Sequence, residues 1–242
     1  MAQINRSVRR IMNDIKEFRD SPIPGTAIYQ CESPLTRIYV ALAGPKDSAY
    51  ENGIYFFQFD FPASYPNEPP KGKFLNWQNS TTRMHPNLYT DGKICLSTLG
   101  TWSGPSWTSA MSLSTIILDL QSIMDDNPLK NEPGYDKKTD SLDHQKYLKI
   151  VQFYNYRDYV SKTLKTCVNP LDDQGLFYVE YFKEFILDHF LNNKQNIETA
   201  LDKLVKTSVV EHLYVSYSGS SATISYAPIL ENIQQIYAQL GS

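Results

Sequence analysis

The stretch TAIYQCESPLTRIYVALAGPKDSAYENGIYFFQFDF, from Thr26 to Phe61, decides the fold class. Three runs in it are rich in β-branched and aromatic residues: Ala27-Ile28-Tyr29, Arg37–Leu42 and Gly53–Phe61. Turn sequences separate them, first Glu32-Ser33-Pro34 and then Gly44-Pro45-Lys46-Asp47-Ser48. Side chains of the first kind suit a pleated, half-buried surface, whereas proline, glycine and aspartate interrupt it. The stretch predicts an antiparallel meander. Lys73-Phe74-Leu75, after the proline-rich Tyr65–Pro70, offers a fourth strand.

On the N-terminal side, residues 4–19 place Ile4, Val8, Ile11, Ile15 and Phe18 at spacings of three and four. That is one apolar face of a helix, with charges opposite, and Ser21-Pro22-Ile23-Pro24-Gly25 ends it. On the other side, regularity is weak from about Ser80 to Ser109. A loop this long is usually functional or disordered, and its tryptophans argue against disorder. Ser112–Met124 predicts an apolar helix, capped by Ser112 or Ser114 and stopped at Asp126-Asn127-Pro128. Ser141–Cys167 predicts another. After Asn169-Pro170 come an aromatic helix (Leu176–Leu191), a helix over 196–209, a hairpin of Leu213–Tyr217 with Ala222–Tyr226, and a closing helix from Ile229 to Leu240. Strands grouped together in sequence point to an α+β fold with an antiparallel sheet. Residues 1–168 read as a core domain and 169–242 as a C-terminal α/β extension packed on or beside it.

The 242 residues, 41% hydrophobic and 20% charged, are those of a globular chain. A net charge of −3 argues against charge-driven nucleic-acid binding, leaving Arg6, Arg9, Arg10 and Lys16 as one local basic face. The three cysteines, Cys31, Cys95 and Cys167, are odd in number and far apart, unlike a disulfide framework. Neither a signal peptide nor a membrane span is apparent, so the expectation is a cytoplasmic or nuclear protein that binds no membrane. The glycosylation-like triplet Asn79-Ser80-Thr81 is read as accidental on that ground.

Cys95 lies at the edge of the irregular region, after the tight-turn sequence Asp91-Gly92-Lys93. A lone cysteine most often fills a core. Metal binding fits poorly, because the four histidines (His85, His144, His189, His212) and three cysteines show no paired spacing. A nucleophilic cysteine needs access, an oxyanion donor and control of the incoming nucleophile's proton. Asn87 offers the donor, worth on the order of 3 kcal/mol in other acyl-transfer enzymes. From spacing alone the favoured reading is a turn residue bonding its own backbone.

Four motifs in order carry a resemblance. Gly44-Pro45-Lys46-Asp47-Ser48-Ala49-Tyr50-Glu51-Asn52-Gly53, then Phe61-Pro62 with Tyr65-Pro66-Asn67-Glu68-Pro69-Pro70, resemble signatures of the ubiquitin-conjugating enzyme family. His85-Pro86-Asn87 with Cys95 eight residues beyond its asparagine, and Trp107-Thr108-Ser109-Ala110 before the central helix, resemble two more. The resemblance covers residues 4–168 and implies the fold of that family. It implies that Cys95 accepts ubiquitin, or a ubiquitin-like modifier, from an activating enzyme as a thioester and passes it to a lysine of a substrate or ligase partner. It implies no cofactor, since ATP is used by the activating enzyme, and no metal. Asn87 would stabilise the oxyanion or hold the adjacent loop, and His85 and Pro86 would shape the turn. In this family an acidic residue after the central helix helps deprotonate the attacking lysine, which implies Glu132 first and Asn131 second.

Insertions between Pro70 and His85 and over Leu99–Trp107, with Asn131-Glu132-Pro133-Gly134-Tyr135 after the central helix, resemble the larger BRUCE/Apollon-like branch. Trp102 and Trp107 fit either loop packing or a wall beside the thioester. The basic N-terminal helix (Arg6, Arg9, Arg10, Lys16) corresponds to the family's face for the activating enzyme. In the ligase-facing loops (Asn67, Glu68; Thr108, Ser109), Asn67 stands where an aromatic residue is common and Ser109 where a proline is. Both changes remove apolar anchors, which implies an atypically docking ligase or direct selection of protein substrates. The rival readings are a non-catalytic scaffold of the same fold, and a cysteine hydrolase with His85 as its base.

Overall fold

The computed structural model describes residues 6–77, 81–137, 141–169 and 177–240. Ile4 of the predicted first helix, Leu176 of the aromatic helix, and Asn79 and Ser80 of the glycosylation-like triplet lie outside them.

Helix α1 (Arg6–Asp20) turns Ile11, Ile15 and Phe18 into the core. Full burial of such side chains stabilises by about 1.5–3 kcal/mol each. Strands β1 (Thr26–Gln30), β2 (Arg37–Ala43), β3 (Ile54–Asp60) and β4 (Lys71–Phe74) pair antiparallel in sequence order, with Val40 opposite Phe57 and Phe57 opposite Phe74. Gly44 is required between β2 and β3, because a Cβ there would lie 1.8 Å from the Tyr50 carbonyl oxygen.

Ile38–Leu42 and Ile54–Phe57 are buried at every position, so both faces of the sheet are covered. On one face Tyr55 stacks on Tyr159 with ring centres 4.3 Å apart. On the other, the extension provides the cover. From α5 (Phe177–Tyr181), Tyr181 stacks on Tyr29 at 3.9 Å and Tyr178 packs on Phe56 at 5.0 Å. The predicted aromatic helix breaks at Phe182, which is buried, and continues as α6 (Lys183–Asn192). The break lets α5 lie on the sheet while α6 turns toward the helices behind.

Helix α2 (Leu113–Ile123) starts at Ser112, whose N–H donates to Thr115 Oγ1 at 3.2 Å. The single helix expected over 141–167 changes winding twice: α3 (Leu142–Tyr154), a π-helical stretch over Asn155–Lys162, then α4 (Thr163–Val168). The wider turn lets buried Asn155 donate to the Glu51 carbonyl at 2.8 Å and accept from Tyr55 Oη at 2.7 Å. Beyond α7 (Lys194–Thr207), β5 (Glu211–Val215) and β6 (Ser220–Ile224) form the hairpin, and α8 (Ala227–Leu240) closes the chain. The strands end about two residues earlier than expected. Gly219, at φ +63°, closes the turn, and Tyr217 sits within the turn instead of at a strand end.

Candidate active site

The site is built on a short backbone ladder. Isolated bridges pair His85 with Leu88, Leu88 with Ile94 and Lys93 with Lys73 of β4. Gly92 makes the reversal at φ +93°, where an added Cβ would lie 2.8 Å from the Phe74 carbonyl oxygen. The ladder sets Cys95 beside Asn87. The Cys95 N–H donates to the Asn87 carbonyl at 2.9 Å, and Asn87 Nδ2 donates to the Cys95 carbonyl at 2.7 Å. Both peptide groups of the cysteine are thus held by one residue. Asn87 Oδ1 is buried with no protein partner among the described residues.

Cys95 is only 2% exposed, but it forms part of the wall of an open groove of about 240 Å³. Asn87, Trp102, Asp119, Ser122 and Asn131 line the same groove. It is smaller than most small-molecule sites, which run to roughly 300–1,000 Å³. Trp102 is 43% exposed at its edge. Trp107 does something else: its Nε1 donates to the Pro66 carbonyl at 2.7 Å, and its ring packs near Tyr65. The two tryptophans of the insertion therefore divide the two expected roles between them.

His85 is fully buried. Its Nδ1 accepts from the Asn87 N–H at 2.9 Å, and its ring also bonds the Ile123 backbone. Burial first, then the Arg83 charge, push its pKa down to about 3. The ring is neutral and committed to holding the turn, so it is not available as the base that the hydrolase reading needs. Among the described residues, no three His, Cys, Asp or Glu side chains gather as metal ligands.

Glu132 is not on the groove wall. Its carboxylate accepts from Tyr217 Oη at 3.0 Å and lies 3.8 Å from Arg83. Asn131, the second choice, does line the groove, with Nδ2 3.3 Å from His85 Nε2. The carboxylate that lines it is Asp119, anchored by Thr98 Oγ1 at 2.6 Å. Sequence reasoning passed over Asp119, although it stands out as the one carboxylate within the apolar run of α2. Arg83 and Tyr217 were also missed, and no local pattern marks either.

Arg6, Arg9 and Lys16 are exposed on α1. Arg10 is engaged internally, bonding Asp14 at 2.7 Å and the carbonyls of Ser109 and Met111 at 2.8 and 2.7 Å. Asn67, Glu68, Thr108 and Ser109 are all exposed. Through Arg10 and Trp107 these loops and α1 form one continuous surface.

A four-stranded meander thus backs a cysteine pinned by an asparagine from a His-Pro turn. The sequence profile of the family described as Ubiquitin-conjugating enzyme matches residues 10–154, and the chain belongs to that family. It is similar to ubiquitin-conjugating enzyme E2 Z of Xenopus tropicalis, at 34% identity over 201 residues, covering 80% of this chain and 64% of that one. It is 36% identical over 179 residues to E2 Z of Homo sapiens, covering 72% and 50%. A solved structure of human ubiquitin-conjugating enzyme E2 G1 is similar at 28% identity and a TM-score of 0.44, covering 51% of this chain and 98% of that one. The chain thus spans about half to two thirds of the length of the E2 Z relatives.

Proposed function

We propose that this protein carries ubiquitin, or a ubiquitin-like modifier, as a thioester on Cys95 and delivers it to lysine. In charging, the Cys95 thiolate attacks the thioester carbonyl on the activating enzyme, whose own cysteine leaves as thiolate. In discharge, a lysine ammonium gives one proton to water, the neutral amine attacks the Cys95 thioester, and the nitrogen gives a second proton to water as the amide forms. The tetrahedral oxyanion collapses and expels the Cys95 thiolate. Asn87 has a second N–H on Nδ2, beyond the one it gives to Cys95, to offer the oxyanion. Asp119 faces the incoming ammonium and draws it in, with Asn131 beside it, while Glu132 acts from behind the turn. His85 and Pro86 hold the turn. The observation that carries this reading is the groove wall shared by Cys95, Asn87 and Asp119.

The expected partners are an activating enzyme, met through Arg6, Arg9 and Lys16, and protein substrates. Asn67 and Ser109 favour a ligase that docks atypically. The 99–107 insertion supports kinship with a larger branch of the family, of the BRUCE/Apollon type. The test is incubation with activating enzyme, ATP and ubiquitin. The wild-type chain forms an adduct that thiol reductant dissolves; Cys95→Ala forms none, and Cys95→Ser forms a reductant-resistant ester or none. An adduct on Cys95→Ala would sink the proposal.

A further inference from the structure

The extension reaches the active-site turn through one side chain. Tyr217, in the β5–β6 turn, donates its hydroxyl to Glu132 at 3.0 Å, and its ring centre lies 5.5 Å from the Arg83 guanidinium carbon. Arg83 stands at the junction. Its Nη2 donates to the Pro86 carbonyl, its guanidinium lies 3.8 Å from the centre of the Tyr89 ring, and it pairs with Glu132. Its own carbonyl accepts from Tyr147 Oη at 2.6 Å. Tyr217 is further wedged between the rings of Tyr135 at 5.4 Å and Tyr147 at 6.0 Å. Pro86 and Tyr89 bracket Asn87, the residue that holds both peptide groups of Cys95.

We infer that Tyr217 is a positioning residue for the transfer reaction: with Glu132 it clamps Arg83, and Arg83 fixes the turn that aims Asn87 at Cys95. The extension is thereby part of the catalytic apparatus without touching the reacting atoms. Arg83 binds a single backbone oxygen of the turn, so its orientation sets where Asn87 Nδ2 points. The Tyr89 ring at 3.8 Å, the Tyr217 ring at 5.5 Å and the Glu132 carboxylate at 3.8 Å together restrict it. An ångström of freedom at such a point is costly, since misplacement of that size can slow an enzyme by about 100-fold.

This inference rests on the carrier reading of Cys95, and its test separates the two. Thioester is preformed on the full-length chain and its discharge to free lysine is followed in single turnover. Tyr217→Ala should lower the maximal rate about tenfold while the half-saturating lysine concentration stays within about twofold. Tyr217→Phe keeps the ring and loses the hydroxyl, and should recover a large part of that rate. In parallel, alkylation of Cys95 by iodoacetamide is read by peptide mass on uncharged protein. It should change about fivefold in Tyr217→Ala, while Cys31 reacts as in wild type. Thermal melts identify folded variants; if Tyr217→Ala does not fold, Tyr217→Leu, which fills the space without the aromatic ring or hydroxyl, carries the comparison. Wild-type discharge kinetics and wild-type Cys95 alkylation in folded Tyr217→Ala or Tyr217→Leu overturn the inference. If the wild-type chain never charges, the carrier reading fails and alkylation alone decides the role of Tyr217.

Discussion

The back and the front of the groove are built on opposite terms. Behind Cys95 every element is committed: His85 is fully buried and neutral, Asn87 grips both peptide groups of the cysteine, and Tyr50 Oη and Tyr147 Oη donate to the carbonyls of Met84 and Arg83 at 2.9 and 2.6 Å. In front, residues 100–106 are exposed throughout, Trp102 stands at the rim, and Ser122 is open. The difference separates two tasks. On the proposed carrier reading, the back holds the Cys95 sulfur in place and the front is left free to meet the chains it exchanges with.

Breaking the back should cost most. Asn87→Ala should slow discharge to lysine about 100-fold by removing the oxyanion donor. Because it also strips the Cys95 carbonyl of its donor, it should lower stability by about 1–3 kcal/mol, read from urea midpoints. An Asn87→Ala protein that discharges normally would leave the asparagine with a scaffolding role alone.

His85 sharpens the contrast through pH. Its folded pKa, about 3, lies below the ordinary 6.5. The unfolded chain therefore binds this proton more readily, and the stability tied to neutral His85 is complete above pH 6.5. It declines as pH falls toward 3, at about 1.4 kcal/mol per unit. Between pH 7 and 5 the wild type should lose about 2 kcal/mol more than His85→Asn. Parallel losses in the two proteins would mean that the histidine titrates normally.

At the boundary of the two regions, Asp119→Asn should slow discharge about tenfold while leaving charging within about twofold. Equal slowing of both steps would remove Asp119 from lysine capture. The front should be the most forgiving. Trp102→Ala should shift stability by no more than about 0.5 kcal/mol, with its effect confined to a few-fold change in discharge.

How much of this the sequence showed follows the same division. The meander was legible because β2 and β3 are β-branched and aromatic along their length, and α1 because its apolar face repeats at helical spacing. Cys95 and Asn87 were legible through the resemblance of His85-Pro86-Asn87 and Cys95 to the family's motif, since spacing alone favours a core cysteine and a turn asparagine. What depended on tertiary neighbours was hidden. The sequence marks Glu132 as an acid after the central helix but gives no sign of its contacts with Arg83 and with Tyr217, which lies 85 residues along the chain from it. The aromatic run after residue 176 gave no sign of its break at Phe182, because that break serves the sheet face it covers. The change of winding after Tyr154 was equally silent, since it answers to Glu51 and Tyr55 far upstream.

That change of winding also sets a phase. In an α-helix each residue advances the chain by about 100°, so removing one residue ahead of α4 would turn its buried face (Thr163, Leu164 and Cys167) away from the core by an angle of that order. The length of this stretch therefore sets which face of α4 is buried, and a one-residue indel there should be far less tolerated than one in the exposed loop at 100–106.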